Sequence, residues 1–431
     1  MDTDHHRVKS NREYAKQPNL GFFPVSFISM SIRAIMPLTA ALALAAITSH
    51  AEEPAAKIAA VPPLPGTPLP AATPEAIRAA ITRGVDFLTT SQNPNGSWGG
   101  PTLTKGLNIY APLPGAHHAF RAGSTGLALS GLIDARDPRP EAQAAIGKAA
   151  GWIAAELPKL RRADTTTTYN VWGHAYGLRA LVRLHARETD PVKKAEWKRL
   201  AAEQIALANR YHELDGGWGY LDLFDGLATQ KPSGMPTSFT TATLLLAMAS
   251  ARDAMGLELD EKIVRASLDS IRRQRTPDFA YTYSHAHRFV PRSPINRPAG
   301  SLARSQVCNA ALRVFGDETV TDEVIDTWAR RFLDREGWLS IGRKRPVPHE
   351  THFQISGYFY YYGIYYFTEA VSLLPREKQA PYARRLAAIL LERQEKDGSW
   401  WDYPLYSYHQ PYGTGYALMA LAWCRDVLAE P

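Results

Sequence analysis

Cysteine is nearly absent. Cys308 and Cys424 are the two in 431 residues, so a disulfide framework cannot be what holds the chain together. Each falls in an apolar helical run, where a thiol acts as a small hydrophobe, and nothing requires a bridge between them. Long hydrophobic runs are also missing. The most apolar stretch, residues 34–47, is shorter than the roughly 20 residues of a membrane-spanning helix. Nor does one charge dominate: 49 Lys and Arg stand against 42 Asp and Glu, and the net +7 is spread along the chain. The aromatics follow helical spacing and form no stacking platform, so nothing calls for a nucleic-acid partner. What is present is ordinary globular material, 45% hydrophobic and 21% charged, enough for one large core.

The N-terminal region divides by composition. Met30-Ser31-Ile32-Arg33 opens the apolar run, which ends in Ser49-His50-Ala51. A basic start, a short apolar stretch and small residues at its end describe a secretory signal peptide. Translation is therefore expected to begin at Met30, with residues 1–29 an upstream extension or misassigned start and residues 30–51 the signal. The mature chain would begin near Glu52 and be exported, periplasmic or secreted, with no membrane span left after cleavage. Residues 52–73 are rich in Ala and Pro, with Pro62-Pro63, Pro65, Pro68 and Pro70, and read as a stiff spacer. Thr73 before Pro74-Glu75 is a helix start. Residues 74–431 then read as one all-α domain.

That domain carries a repeated frame. Arg83-Gly84 leads to Phe87-Leu88, then Gln92, then Gly96-Ser97-Trp98; the frame returns as Arg385 to Gln394 followed by Gly398-Ser399-Trp400. Eroded copies start at Lys148-Ala149, at Arg265-Ala266 and at Ala329, and Gly216-Gly217-Trp218 keeps the end alone. A recurring frame means a repeat architecture. After each copy comes a second helix rich in Ala, Gly, Ser, Thr and Leu, such as Thr240 to Ala247, which reads as buried on most sides. The first helix of each pair, such as Glu196 to Arg210, is charged on one face and apolar on the other. Six pairs of an outer and an inner helix fit a closed ring.

The frame resembles the QW repeat of the terpenoid cyclase and protein prenyltransferase superfamily, which includes the squalene-hopene cyclases, over roughly residues 74–428. The resemblance implies an α/α toroid, a closed barrel of about six helix pairs, in which Gln92, Trp98, Gln394 and Trp400 tie neighbouring repeats together on the outside. The family's cyclases use an Asp-x-Asp-Asp acid, which this chain lacks. Its nearest acidic pieces, Asp222 to Asp225 and Asp260-Glu261, read as turns or helix starts. The prenyltransferases hold zinc with an Asp, a Cys two residues on and a distant His. Here Gln306 precedes Cys308 and Ala422 precedes Cys424, so neither chemistry is expected, and neither a metal nor another cofactor.

A ring of helices encloses a cavity, and ligands enter such concavities. Histidines gather where inner helices begin, at His117-His118, His174, His285, His287, His349, His352 and His409. Tyrosines accompany them, among them Tyr169, Tyr176, Tyr283, Tyr358, Tyr408 and Tyr412. Two basic loops, one with Arg288, Arg292, Arg297 and Arg304 and one with Arg343-Lys344-Arg345, are expected to share one mouth. A His- and Tyr-lined cup with an arginine rim suits an anionic or polyhydroxylated ligand, a small molecule or an oligosaccharide. The candidate binding residues are His285, His287, Arg288, Arg304, His349, His352, Tyr358 and His409. Asn170, His174 and Tyr176 form a candidate catalytic set. With a nearby Arg they resemble the site of toroidal polysaccharide lyases, which neutralise a uronate carboxylate and remove the adjacent proton. Three functions follow: a ligand-binding toroid without the family's chemistry, an enzyme acting on an acidic polysaccharide or prenyl diphosphate, and a scaffold that uses its outer face.

Overall fold

The computed structural model describes residues 70–105, 114–161, 169–219 and 236–429. The expected upstream extension, signal and most of the spacer lie outside them, as do Asp222 and Asp225. The described residues belong to one compact unit, Ala55–Pro431. Thr73 caps the first helix as its sequence predicts, its hydroxyl accepting from the Ala76 N–H at 3.2 Å. Asp260 does the same for the Lys262 and Ile263 N–H groups, so this acid is a helix start.

Helices alternate between two rings. The outer ring holds α1 (Pro74–Thr90), α3 (Pro140–Glu156), α5 (Pro191–Arg210), α7 (Glu261–Arg273), α9 (Asp322–Asp334) and α12 (Arg376–Arg393). The inner ring holds α2 (Pro114–Ala135), α4 (Asn170–Arg187), α6 (Ser238–Met255), α8 (Leu302–Val314), α11 (Phe359–Val371) and α13 (His409–Ala429), and a short α10 (Glu336–Ser340) follows α9. Inner helices pack in chain order, and α13 returns against α2 to close the circle. Composition explains the sorting. In α6 every residue from Ser238 to Ala249 is buried, whereas α7 buries only Ser267, Leu268, Ser270 and Ile271. Glycines let the inner backbones touch: a Cβ on Gly126 would lie 2.5 Å from the Tyr176 carbonyl, and one on Gly415 2.5 Å from that of Leu127.

The repeated frame is the joint between one repeat and the next. The Trp98, Trp218 and Trp400 indoles each donate to the carbonyl ten residues back, those of Leu88, Ala208 and Leu390, at 2.8, 2.8 and 2.9 Å. Their own backbone N–H groups donate to a threonine on the following inner helix, Thr125, Thr241 and Thr414. The frame glycine lies against the next outer helix. Gly96 abuts Lys148, Gly216 abuts Ala266 and Gly398 abuts Arg83, so close that a Cβ would come within 2.2–2.4 Å of a carbonyl oxygen. All three sit at φ near +90°, where glycine is the natural choice. Gln92 donates to Ala145 on α3, and Gln394 donates to Ala80 on α1, which joins the last repeat to the first. The third repeat does more than its sequence promises. His212 stands at the Gln position, six residues before Trp218, accepts from the Gly217 N–H at 2.8 Å and meets Ser267 on α7 at 3.0 Å.

The bore is filled at one end. Arg179 on α4 reaches across the ring to α11, donating to Tyr365 at 2.9 Å and to Glu369 at 2.8 Å. Arg183 pairs with Asp134 beside it at 2.8 Å. Above this ion network Tyr362, Tyr366 and Tyr416 meet at ring-centroid separations of 4.7–6.4 Å. The described residues therefore form a cup, filled toward the C-terminal ends of the inner helices.

Candidate ligand cavity

The cup holds a cavity of about 120 Å³. Its wall comes from the first turns of the inner helices and the loops ahead of them. Phe120 on α2, Trp172 and Tyr176 on α4 and Phe239 on α6 form one side. Tyr358, Phe359 and Tyr362 around the start of α11, with Tyr408, Tyr412 and Tyr416 around the start of α13, form the other. Tyr169 and Tyr283 complete it, so among the described residues twelve of the sixteen in the wall are aromatic and none is an acid, a base or a histidine. The pattern has a local cause. Residues four apart share a helix face, and Trp172/Tyr176, Tyr358/Tyr362 and Tyr408/Tyr412/Tyr416 are each so spaced. The Trp172 and Tyr176 rings stack nearly parallel at 5.9 Å.

Several wall phenols have their hydroxyls engaged by protein partners. Tyr176 and Tyr416 bond each other. Tyr362 meets Thr243 at 2.9 Å, and Tyr408 meets the His117 ring at 3.2 Å. Tyr412 donates to Asp402 at 2.6 Å. Asp402 is fully buried and also accepts from the Tyr361 N–H at 3.0 Å; burial nonetheless pushes its carboxyl up to about 6.

The candidate catalytic set is not brought together. Tyr176 lines the cavity, but Asn170 and His174 do not. Asn170 donates to the Arg161 carbonyl. His174 is buried, its Nδ1 2.9 Å from Gln204 of α5, and burial pushes it down to about 4. Helix geometry requires this. At about 100° per residue, His174 lies about 200° from Tyr176, so when Trp172 and Tyr176 face the bore, Asn170 and His174 face the outer ring.

The candidate binding residues divide as well. Four of them gather in one corner with Tyr283. His349 meets the Tyr358 hydroxyl through Nε2 at 3.1 Å and the Gln354 carbonyl through Nδ1 at 2.7 Å. Because a carbonyl only accepts, Nδ1 carries the proton and the Tyr358 hydroxyl donates to Nε2. His287 bonds Ser284 at 2.8 Å, and both histidine rings lie against Tyr283, at 5.2 and 5.6 Å. Arg304 is buried behind this corner, over the Tyr283 and Phe359 rings at 5.4 and 5.8 Å. The other four are elsewhere. His285 bonds Arg288 and lies 3.8 Å from Asp215. His352 is exposed beside Phe353, and His409 bonds the Tyr406 carbonyl with Trp401 against its ring. The two basic loops do meet, Ser293 donating to Gln354 at 3.1 Å. The expected arginine-lined cup is thus an aromatic one, with its arginine behind the wall.

The aromatic wall residues that the sequence analysis did not single out are Phe120, Trp172, Phe239, Phe359 and Tyr416. Their signal was an aromatic residue in the first two turns of five inner helices. Among the described residues no group of three or more His, Cys, Asp and Glu side chains is placed to hold a metal ion, and no helix is long and apolar enough to cross a membrane.

No family model and no curated protein matches the chain. Solved structures do. Cellobiose 2-epimerase from Spirochaeta thermophila superposes with a TM-score of 0.53 at 16% identity, over 83% of this chain and 98% of that one. The fold is the α/α toroid. Other toroids similar to it include the type II terpene cyclase MstE from Scytonema, with a TM-score of 0.47 at 12% identity over 82% and 99% of the two chains. A family 76 glycoside hydrolase from Bacteroides thetaiotaomicron has a TM-score of 0.49 at 11% identity, over 83% and 78%. At these identities the likeness is one of fold. The α/α toroid expected from the repeat frame is the fold observed.

Proposed function

We propose that this toroid binds a ligand with an apolar, ring-sized body in its aromatic cup. The observation that carries the reading is the described wall, twelve aromatic residues of sixteen with no charged side chain among them. Ring faces offer apolar area and quadrupole contacts and little that could hold a freely hydrated solute. Size narrows the class. A dry apolar cavity of about 150 Å³ admits benzene, so about 120 Å³ takes one ring or a short branched chain, and a longer ligand extends through the mouth. The family's acid and zinc chemistries stay outside the proposal because the sequence lacks their residues. So does catalysis by Asn170, His174 and Tyr176 acting together, since two of the three face away from the cup.

Cyclohexylmethanol is a direct probe, and cellobiose, for which the similar epimerase is named, is its competitor. Calorimetric titration should give saturable binding of the alcohol with a dissociation constant of about 1 mM or tighter, a reasonable strength for eight heavy atoms. Leu127→Trp puts a larger side chain into the cup from α2 and should weaken that binding about tenfold or more, with the thermal midpoint measured alongside as the control for folding. Binding of cellobiose but not of the alcohol would overturn the reading. Export belongs to the same proposal: the N-terminus of protein recovered from outside the cytoplasm should be near Glu52.

A further inference from the structure

Arg304 is 1% exposed, and no carboxylate pairs with it among the described residues. Three backbone carbonyls hold the guanidinium: Gly300 at 3.0 Å, Ile295 at 2.6 Å and Tyr281 at 3.3 Å. Its Nε is buried without a partner. Burial pushes the group down to about 10, which leaves it protonated at neutral pH. The neighbouring imidazoles do not add charge. Burial and Arg304 both push His287 and His349 below the ordinary histidine value.

A buried cation of this kind is costly unless something compensates it. Carbonyl dipoles and the Tyr283 and Phe359 ring faces supply part of the compensation, and among the described residues no carboxylate supplies the rest. Arg304 also lies directly behind two wall residues, Tyr283 and Phe359. An aromatic cup without it would favour a cation, because ring faces carry negative potential. Arg304 acts against that through a low-dielectric wall, where a charge at this range is felt far more than in water.

Building on the reading that the cup is a ligand site, we infer that its ligand is an anion: an apolar ring-sized body carrying a carboxylate or a comparable acidic group, placed at the corner of Tyr283, Tyr358 and His349 in front of Arg304. Arg304 sets this preference through the wall, without touching the ligand.

Three probes of nearly one shape test it: cyclohexanecarboxylate, cyclohexylmethanol and cyclohexylmethylammonium, titrated into the full chain. The carboxylate should bind about tenfold tighter than the alcohol, a difference of about 1.4 kcal/mol, and the ammonium weakest. The margin should persist in 0.5 M salt, because a buried charge is poorly screened, whereas a preference set by exposed arginines such as Arg292 and Arg345 should vanish. In Arg304→Met the order should invert, with the ammonium first, and Arg304→Lys should restore it. The wild-type ranking decides the matter even if neither variant folds. An ammonium that binds best, an alcohol that equals the carboxylate, or a preference erased by salt would each overturn the inference and leave the apolar-ligand reading in place. Failure of all three probes to bind would end both.

Discussion

At the scale of the residue, burial and partner decide what each polar side chain can do. His174 is the plainest case. The fold keeps it neutral against Gln204 and pushes it from the ordinary 6.5 to about 4. The stability linked to it is therefore complete above the unfolded value near 6.5 and is lost as pH falls toward 4. Across that window the loss is roughly 3 kcal/mol. His174→Gln should flatten the acid limb of the stability curve by about that amount, as read by urea unfolding at pH 7 and pH 4.5. Asp402 has the opposite sign. Its folded value is raised, so its contribution is largest in acid and falls as pH rises from about 4 to about 6. These roles were hard to read beforehand. The sequence places a histidine near an inner-helix start, but which wall it faces depends on which residues take the bore side. The 100° step of a helix does say that His174 and Tyr176 cannot both face inward.

At the scale of the element, the repeated frame is a docking device between neighbours. Its glycine is the tightest point. Gly398→Ala puts a Cβ at positive φ and 2.4 Å from the Arg83 carbonyl, at the seam where the ring closes. Strain and overpacking together should cost about 2–4 kcal/mol in denaturant titrations. Gly147→Ala is the contrast, since its Cβ meets nothing within 4 Å on an exposed helix face. That substitution should stabilise by up to about 1 kcal/mol. The frame was legible from spacing, and the role of its Gln and Trp in joining repeats from its resemblance to the QW repeat. His212 was not, because a histidine in the place of Gln is recognised only once its bond to Gly217 is in view.

At the scale of the whole molecule, the cup exists because opposite sides of the ring meet. Arg179 and Glu369 lie 190 residues apart in sequence and 2.8 Å apart in space. Glu369→Gln leaves Arg179 buried without its counter-charge, which should cost about 3 kcal/mol. The double variant Arg179→Met/Glu369→Leu should recover most of that loss, as a double-mutant cycle would show. If the double variant is no better than the single, the ion pair is not what fills the bore.

The sequence by itself determined the ring: a frame that returns, outer helices with one wet face, inner helices of small apolar residues, and glycines where backbones touch. Those properties are local, written in spacing and composition, and a closed circle of pairs is the arrangement that buries them all. The tertiary structure decided what the ring encloses. It turned aromatic faces inward and most of the candidate histidines away, and it set behind the wall an arginine that no carboxylate among the described residues pairs with. The reason is that the bore is built from residues far apart in the chain, whose facing is fixed only when all six inner helices pack at once.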